Sequence, residues 1–140
     1  MAEPLDPPPR PSSATGCFAC DRNHPSGLHL SFVLDVATRT ARAQTVLDGC
    51  FAGADGIAHG GIVATLLDEA MVYASRAVAP LAATASLNVR YRRPTPVRAP
   101  LEITAEVLWV KHGAVRCRAY LRARDKVVAQ AEGTLLVVQE

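Results

Sequence analysis

One change of hydrophobic period, near the middle of the chain, most constrains how this sequence can fold. From Gly60 to about Ala79 the apolar residues recur every three or four positions, and no proline occurs before Pro80, so a helix of about five turns is predicted. On both sides of this segment apolar and polar residues alternate, which is typical of half-buried strands. The helix is too apolar to lie on a surface, so the strands must cover it.

Six segments carry the alternating pattern: one from Leu28, one over about Thr40 to Leu47, and four after Pro80 in meander order. This order of elements predicts an α+β fold in which an antiparallel sheet wraps around one long central helix. By the same period Phe32 and Trp109 are core residues. The apolar positions of the alternation are Leu28, Leu30, Phe32, Leu34, Val36, Ala85, Leu87, Val89, Tyr91, Ile103, Ala105, Val107, Trp109, Val115, Cys117, Ala119, Leu121 and Ala123. The opposite face of the third strand consists of Thr84, Ser86, Asn88, Arg90 and Arg92.

Length and composition place the chain among single-domain globular proteins. It has 140 residues, of which 49% are hydrophobic and 20% are charged, so one folded core is expected and a disordered chain is excluded. Residues 1–16 hold half of the ten prolines and predict a flexible arm, leaving 17–140 as the folded domain. The sequence shows neither a signal-peptide pattern nor an apolar run of spanning length, and its net charge is only +2. We therefore expect a cytoplasmic protein that binds neither a membrane nor nucleic acid.

The start of the predicted helix carries the residues best suited to chemistry. Gly60 and Gly61 each cost about 0.5 to 1 kcal/mol in a helix, but they leave N–H groups unobstructed at its N-terminus, where an anion or a developing oxyanion can bind. Asp68 follows two turns later, and a carboxylate on a buried helix is costly unless it is paired or takes part in chemistry. The alternative is that the glycines only end a loop and that Asp68 is exposed.

The residues in this region resemble a known family. The run His59-Gly60-Gly61, followed by Ala64-Thr65-Leu66 and Asp68 within this order of elements, is similar to the PaaI-type acyl-coenzyme A (acyl-CoA) thioesterases, which have the hotdog fold. Two more stretches agree with the resemblance, residues 27–32 at the first strand and residues 87–94 at the third. Only the proline-rich arm lies outside it.

The resemblance implies an enzyme that hydrolyses an acyl-CoA thioester to a free acid and CoA, without a metal or another cofactor. Asp68 then corresponds to the catalytic carboxylate, acting as general base or as nucleophile. The Gly61 N–H corresponds to the donor that polarises the thioester oxygen, His59 lines the same pocket, and Thr84 helps to hold the attacking water. The family's frequent asparagine ahead of His-Gly-Gly is replaced here by Gly53.

Gly61 and Asp68 cannot serve one substrate from the same helix. They are seven residues apart, which is about 10 Å of helix, whereas the carboxylate and the oxygen-binding donor must both lie within about 3 Å of the reacting groups. A two-fold dimer in which Gly61 of one protomer faces Asp68 of the other meets this requirement. The resemblance implies such homodimers, often paired again into homotetramers.

Arginines concentrate near the third strand and indicate where CoA could bind. The segment from Arg90 to Arg98 has four arginines in nine residues and no acidic residue, and guanidinium groups match the geometry of the CoA phosphates. The alternative is a solvated strand face, for which the outward-facing arginines of the fifth strand serve as a control. The residues expected to bind the substrate are Gly60, Asn88, Arg90, Arg92 and Arg93.

A cysteine pair near the N-terminus raises the question of a metal. Cys17 and Cys20 could supply two of four zinc ligands, with His24 and His29 as candidate partners. However, the spacing from the pair to these histidines is tighter than in a zinc finger, and His29 belongs to a strand. We therefore expect these residues to pack the start of the domain and expect no metal site.

Two other functions stay open on the sequence alone. A hotdog hydratase or dehydratase acting on acyl thioesters would pair a histidine with a carboxylate for proton transfer, whereas the glycines directly after His59 fit carbonyl polarisation better. A non-catalytic acyl-CoA-binding protein would be supported by an appended DNA-binding helix pair, for which there is no room. Whether the acyl chain is aliphatic or aromatic is not specified by these residues.

Overall fold

One long helix packs on an antiparallel sheet in the computed structural model, which describes residues 3–4, 16–21 and 23–138. The strands are β1 (Glu3–Pro4), β2 (Val33–Asp35), β3 (Thr40–Val46), β4 (Ala52–Ala54), β5 (Ile57–Ala58), β6 (Ala82–Tyr91), β7 (Pro100–Lys111), β8 (Ala114–Ala123) and β9 (Lys126–Val137). A 3₁₀ helix (Gly49–Phe51) precedes β4, and the long helix α1 is Gly60–Ser75. Within the described residues the main sheet has the order β1-β2-β3-β7-β8-β9-β6, and β4 and β5 form a separate hairpin. The predicted architecture is confirmed.

Helix α1 begins where its sequence pattern begins but ends earlier than predicted. His59 is the N-cap and the last helical residue is Ser75, not Ala79. The N–H groups of residues 76–78 donate to carbonyls three residues back, at 3.0 to 3.1 Å. This tighter turn ends the α-helix before Pro80, which has no N–H to donate and disfavours a helical conformation at Ala79. No helix in the described part of the chain is long and apolar enough to cross a membrane.

The core lies between α1 and the middle of the sheet. Half of the helix is buried, and it packs on β3, β6, β7, β8 and β9. Gly133 in β9 gives the helix room, because a Cβ at this position would lie 3.1 Å from Met71 Cε and 2.9 Å from the Ser86 carbonyl oxygen. The central strand β8 buries every second residue as predicted: Val115, Cys117, Ala119, Leu121 and Ala123.

The segment before β2 keeps the predicted alternation of burial, although most of it is not a strand. The N–H groups of Leu28 and Leu30 donate to backbone carbonyls of a turn at residues 17–20, at 2.6 and 2.8 Å, so this turn stands in for a neighbouring strand. Val36 is 62% exposed because it lies in the turn between β2 and β3. The residues of this segment that are buried as predicted are Leu28, Leu30, Phe32 and Leu34.

Trp109 was predicted in the core, and this prediction is wrong. Val107 lies opposite Cys117 of β8, whereas Trp109 lies opposite Arg116, so two residues of β7 advance against one residue of β8. This β-bulge reverses the alternation beyond it and turns the indole to the outer face. The side chain is 40% exposed, and Lys111 Nζ lies 5.7 Å from the ring centroid.

The beginning of the predicted arm is paired with the sheet. Glu3 lies opposite Leu34 and Pro4 lies opposite Val33, in an antiparallel pair. Most of the arm, residues 1–2 and 5–15, lies outside the described residues. The flexibility of residues 1–16, and the domain boundary that follows them, therefore stay predictions.

Candidate active site

The carboxylate of Asp68 is held by a threonine from the sheet. Thr84 Oγ1 donates a hydrogen bond of 2.6 Å to Asp68 Oδ1. Asp68 is only partly buried and Thr84 is exposed, so water can reach the pair. The two residues that the family resemblance connects thus lie in direct contact, one on α1 and one on β6.

A β-bulge in β6 brings Thr84 to the helix. Thr84 pairs with Leu135 of β9 and Ser86 pairs with Thr134, so two residues of β6 advance against one of β9. Leu135 is fully buried on the helix side of the sheet, whereas the Thr134 hydroxyl accepts a hydrogen bond from Arg116 on the outer side. Strict alternation predicted that Thr84 faces away from the helix together with Ser86. The bulge separates these two residues and gives Thr84 to the site.

His59 caps the N-terminus of α1. Its ring Nδ1 accepts a hydrogen bond of 2.9 Å from the Gly61 N–H, and its own N–H donates to the Phe51 carbonyl at 2.9 Å. Gly53 lies against this residue, because a Cβ at Gly53 would be 3.1 Å from His59 Cα and 3.3 Å from ring Cδ2. A larger residue at this position would push against His59. The loop before the helix therefore contributes space for the histidine rather than a polar side chain.

The two glycines at the helix start differ in what their N–H groups do. The Gly61 N–H is engaged by His59, whereas the Gly60 N–H has no partner among the described residues. The Gly60 carbonyl accepts a hydrogen bond of 2.7 Å from the Tyr91 hydroxyl. Sequence reasoning placed Tyr91 on an apolar strand face and missed this contact. The signal was present, since a tyrosine that ends an alternating strand facing a helix carries a polar group to that helix.

Within one chain the site falls into two separate groups. Asp68 and Thr84 form one group, and His59, Gly60 and Gly61 form the other. The helical rise from Gly60 to Asp68 is about 12 Å, so these groups do not meet around one small substrate group. The separation anticipated from sequence spacing is present because α1 is continuous from Gly60 to Ser75.

The predicted substrate-binding residues divide between two clefts. Gly60, Arg92 and Arg93 line a cleft of about 340 Å³ at the N-terminus of α1. Asn88 and Arg90 line another, of about 310 Å³, on the outer face of the sheet. Arg92 Nε donates to the Gln130 side chain at 2.7 Å, whereas the guanidinium groups of Arg90 and Arg93 have no hydrogen-bond or ion-pair partner among the described residues.

The arginines of β8 behave differently from those near β6. Arg116 contacts Glu132 at 3.1 Å, Arg122 donates to Thr104 at 3.0 Å, and Arg118 pairs with Glu106. Their guanidinium groups are thus occupied by neighbouring strands. Three of the four control arginines are thus part of the sheet's own cross-strand pairing. The fourth, Arg124, lies in the turn after β8, and its guanidinium has no hydrogen-bond or ion-pair partner among the described residues.

Arg98, the last arginine of the basic segment, packs against the 3₁₀ helix before β4. Its guanidinium packs directly on Gly49 in the 3₁₀ helix. Asp48 caps that helix by accepting a hydrogen bond of 2.8 Å from the Cys50 N–H. The hydrogen bonds from Cys50, and to a smaller extent the charge of Arg98, lower the pKa of the Asp48 carboxyl. Arg98 therefore stabilises local structure away from the two groups of the site.

The segment that contains both groups of the site matches a known family. Residues 55–130 match the family model of the thioesterase superfamily. The chain belongs to the thioesterase superfamily. The matched residues include the N-terminus of α1, Asp68 and Thr84, so family membership is carried by the part of the fold described above.

Solved structures share this fold over most of the chain. A thioesterase superfamily protein is 28% identical over 81% of the chain with a TM-score of 0.73, and the chain spans 55% of that protein's length. A mutant of the phenylacetic acid degradation protein PaaI from Thermus thermophilus is 27% identical over 79% of the chain and 95% of its own length, with a TM-score of 0.71. A protein from Streptococcus mutans bound to acetyl CoA is 19% identical over 74% of the chain and 84% of its own, with a TM-score of 0.69. The predicted hotdog fold and PaaI-type resemblance are confirmed.

No curated protein matches the chain in a sequence comparison.

Proposed function

We propose that the protein is a cytoplasmic thioesterase that hydrolyses an acyl-CoA to the free acid and CoA. The observation that carries the proposal is the hydrogen bond from Thr84 to Asp68 on the solvent-accessible side of α1. Membership of the thioesterase superfamily supports hydrolysis of a thioester. The acetyl CoA bound to the neighbour from Streptococcus mutans supports CoA as the thiol carrier.

The Asp68–Thr84 pair supplies the activation that attack on a thioester needs. Thr84 gives its hydroxyl hydrogen to Asp68, so its oxygen lone pairs can accept a hydrogen bond from a water molecule. The second Asp68 oxygen takes a proton from that water as the water oxygen bonds to the carbonyl carbon. The C–S bond then breaks, and the CoA sulfur takes up the proton. Direct attack by Asp68, followed by hydrolysis of the acyl-aspartate, is the alternative route with the same products.

The thioester oxygen is stabilised by the N-terminus of α1. The resemblance assigns this role to the Gly61 N–H, but that group donates to His59 Nδ1, so we assign the oxygen-binding role instead to the Gly60 N–H, which is unengaged within the described residues. Tyr91 donates to the Gly60 carbonyl, which together with the bond from Gly61 N–H to His59 holds the peptide between the two glycines, directly after the Gly60 N–H. The helix dipole adds to the stabilisation of negative charge at this end. His59 in this arrangement orders the donors rather than transferring a proton.

A two-fold dimer brings the two groups together. Asp68 and Thr84 of one protomer face the helix N-terminus of the other. The two groups can then meet, although they are about 12 Å apart within one chain. Strand β6 supports this arrangement, because it lies at the end of the sheet and no described strand pairs with its free side. It has ten residues, and a long exposed edge strand is a template for pairing with another chain. Two such dimers can pair again into a tetramer.

The CoA phosphates are assigned first to Arg92 and Arg93. Both lie in the cleft that contains Gly60, and the Arg93 guanidinium has no partner among the described residues. Arg90 and Asn88 lie on the outer face of β6 and would reach a part of CoA that passes around the strand edge. Bidentate contact between guanidinium and phosphate is the chemistry that these residues offer.

A hydratase fits the site less well. It would need a histidine that transfers a proton together with a carboxylate, but His59 Nδ1 accepts the Gly61 N–H and so holds the helix start, which leaves only Nε2 to meet a carboxylate from the partner protomer. The geometry therefore favours polarisation of a carbonyl at the helix start over proton transfer by His59.

Release of free thiol from a panel of acyl-CoA substrates, aliphatic and aromatic, tests the function. Asp68→Asn keeps the shape of the side chain and should lower kcat by about 100-fold or more. Asp125→Asn is the matched control, since Asp125 lies in a distant turn at φ 63°, which asparagine tolerates, and it should keep wild-type activity. Full turnover by Asp68→Asn, or hydration of an enoyl-CoA without thiol release, would refute the proposal.

Mixing two inactive variants tests the shared site. Gly60→Val blocks the helix start and Asp68→Asn removes the carboxylate, so each homodimer is inactive. Each site of a mixed dimer combines Gly60 of one protomer with Asp68 of the other. One of the two sites therefore contains both wild-type residues, and the other contains both substitutions. An equal mixture after subunit exchange should recover about a quarter of wild-type activity, because half of the dimers are mixed and each has one intact site. No recovery, with exchange demonstrated by mass spectrometry of differently labelled protomers, would refute a site shared between protomers.

A further inference from the structure

Two cysteines near the N-terminus lie in a turn that is tied to the core. The Asp21 N–H donates to the Cys17 carbonyl at 2.9 Å, which closes one helical turn around Cys17 and Cys20. Residues 28 and 30 donate to carbonyls of the same turn. Cys20 is buried and Cys17 is half-buried. The pair is thus held in place by backbone hydrogen bonds.

Helix α1 adds a carboxylate to this pair. The Sγ atoms of Cys17 and Cys20 and a carboxylate oxygen of Glu69 all lie within 4.8 Å of one another. Glu69 directly follows Asp68 in the helix but faces the N-terminal turn. The two histidines considered in the sequence analysis are engaged elsewhere: His24 Nδ1 accepts from the Ser26 N–H at 3.2 Å, and His29 Nε2 contacts the His24 carbonyl oxygen at 2.6 Å.

The composition of the cluster suits a divalent cation. Cys20 hydrogen-bonds with the Tyr73 side chain, and a cation between the two sulfurs and the carboxylate would offset the repulsion of their negative charges in this partly buried place. Zn²⁺ binds sulfur and oxygen ligands in a tetrahedral arrangement, and three protein ligands leave the fourth position for water. Sequence reasoning did not find this set, because Glu69 is 49 residues from Cys20 and only the fold brings them together.

We propose that Cys17, Cys20 and Glu69 form a Zn²⁺ site that fastens the N-terminal turn to α1. When Zn²⁺ binds, the two thiols release their protons to solvent. The metal then has two thiolate ligands and one carboxylate ligand. The bound metal fixes the turn on the helix one residue after Asp68, and its fourth position stays open to water. The proposal does not depend on the thioesterase activity, and its test uses binding rather than turnover.

Metal content and Co²⁺ spectroscopy of the full chain test the site. The purified, untagged protein should contain about one zinc per chain, and the chelated protein should bind one Co²⁺ with a thiolate charge-transfer band and the visible bands of tetrahedral cobalt. Cys17→Ser and Cys20→Ser should each weaken the charge-transfer band strongly. Glu69→Gln should retain that band, shift the visible bands and lower the affinity by about tenfold or more.

A control and a stability measurement make the test decisive. Cys50→Ser removes an exposed cysteine outside the cluster and should leave the spectrum unchanged. Zn²⁺ should raise Tm of the chelated wild type and of Cys50→Ser, and should raise Tm of Glu69→Gln less, since ligand binding stabilises the folded state. Absence of a thiolate band, a band of wild-type intensity in both Cys17→Ser and Cys20→Ser, or a Glu69→Gln variant identical to wild type would each overturn the proposal. A Cys17–Cys20 disulfide in the purified protein would overturn it as well.

Discussion

Strands β6 and β8 have the same length and a similar alternation in sequence, but the fold uses them differently. Each has ten residues. β8 buries every second residue, whereas β6 buries only Ala82. The reason is their position: β8 lies between β7 and β9 beneath α1, and β6 lies at the end of the described sheet.

This difference shows that alternation identifies the two faces of a strand but not whether a face is covered. On β8 the apolar residues fill the core and the arginines pair with adjacent strands. On β6, Leu87 is 36% exposed and Tyr91 is 55% exposed, and Thr84 reaches α1 through a bulge. The residues of β6 are therefore available for a partner protomer and for the substrate.

The largest expected effect compares one leucine from each strand. Leu121→Ala in β8 empties a fully buried position and should lower the free energy of unfolding by about 2 to 5 kcal/mol at every protein concentration. Leu87→Ala in β6 should cost the isolated chain only about 1 kcal/mol, because the side chain is partly exposed. Urea denaturation measures both.

Protein concentration distinguishes the two positions further. If β6 forms the dimer interface, the difference between Leu87→Ala and wild type should grow at concentrations where wild type is dimeric. Sedimentation of the same samples gives the oligomeric state directly. A loss that is the same for both leucines, or a Leu87→Ala effect independent of concentration, would contradict the distinction between edge and centre.

A smaller effect is expected from the hydroxyl that β6 gives to the site. Thr84→Val keeps the shape and removes the hydrogen bond to Asp68, so kcat should fall by about 10- to 100-fold, the range for a hydrogen bond to a charged group. Thr104→Val in β7 is the matched control, because its hydroxyl accepts from Arg122 on the outer face. It should leave kcat of thiol release unchanged. Equal losses in the two variants would mean that Thr84 acts on stability and not on Asp68.

The sequence predicted the fold well where one period continued without interruption. The buried residues of β8 and the start of α1 at Gly60 follow directly from the alternation and the helical spacing. Two errors of side-chain facing lie at β-bulges, since one extra residue reverses every later position on a strand. Others lie where an element ends: α1 stops at Ser75, and Val36 lies in a turn. Because of the bulges, Trp109 was placed in the core, and the alternation set Thr84 on the face opposite Tyr91 although both side chains reach α1.

The site was predictable in its residue types and less so in its contacts. The resemblance connected Asp68 with Thr84, but periodicity alone separated them. The Gly61 N–H donates to His59, and Tyr91 donates to the Gly60 carbonyl. Both contacts depend on local geometry that residue spacing does not specify. The grouping of Glu69 with two cysteines depends on how distant segments pack.

The smallest expected effect compares arginines that differ in whether the sheet already occupies them. Arg93→Ala removes a guanidinium without a partner in the described part of the chain, so KM for acyl-CoA should rise by about 3- to 10-fold, the value of roughly 1 kcal/mol of phosphate binding. KM for the corresponding acyl-pantetheine, which lacks the nucleotide phosphates, should not change. Arg118→Ala in β8 breaks a pair with Glu106 and should leave both KM values at the wild-type level. If Arg93→Ala raises KM equally for both substrates, the arginine supports the acyl site or the loop, and the phosphates of CoA bind elsewhere.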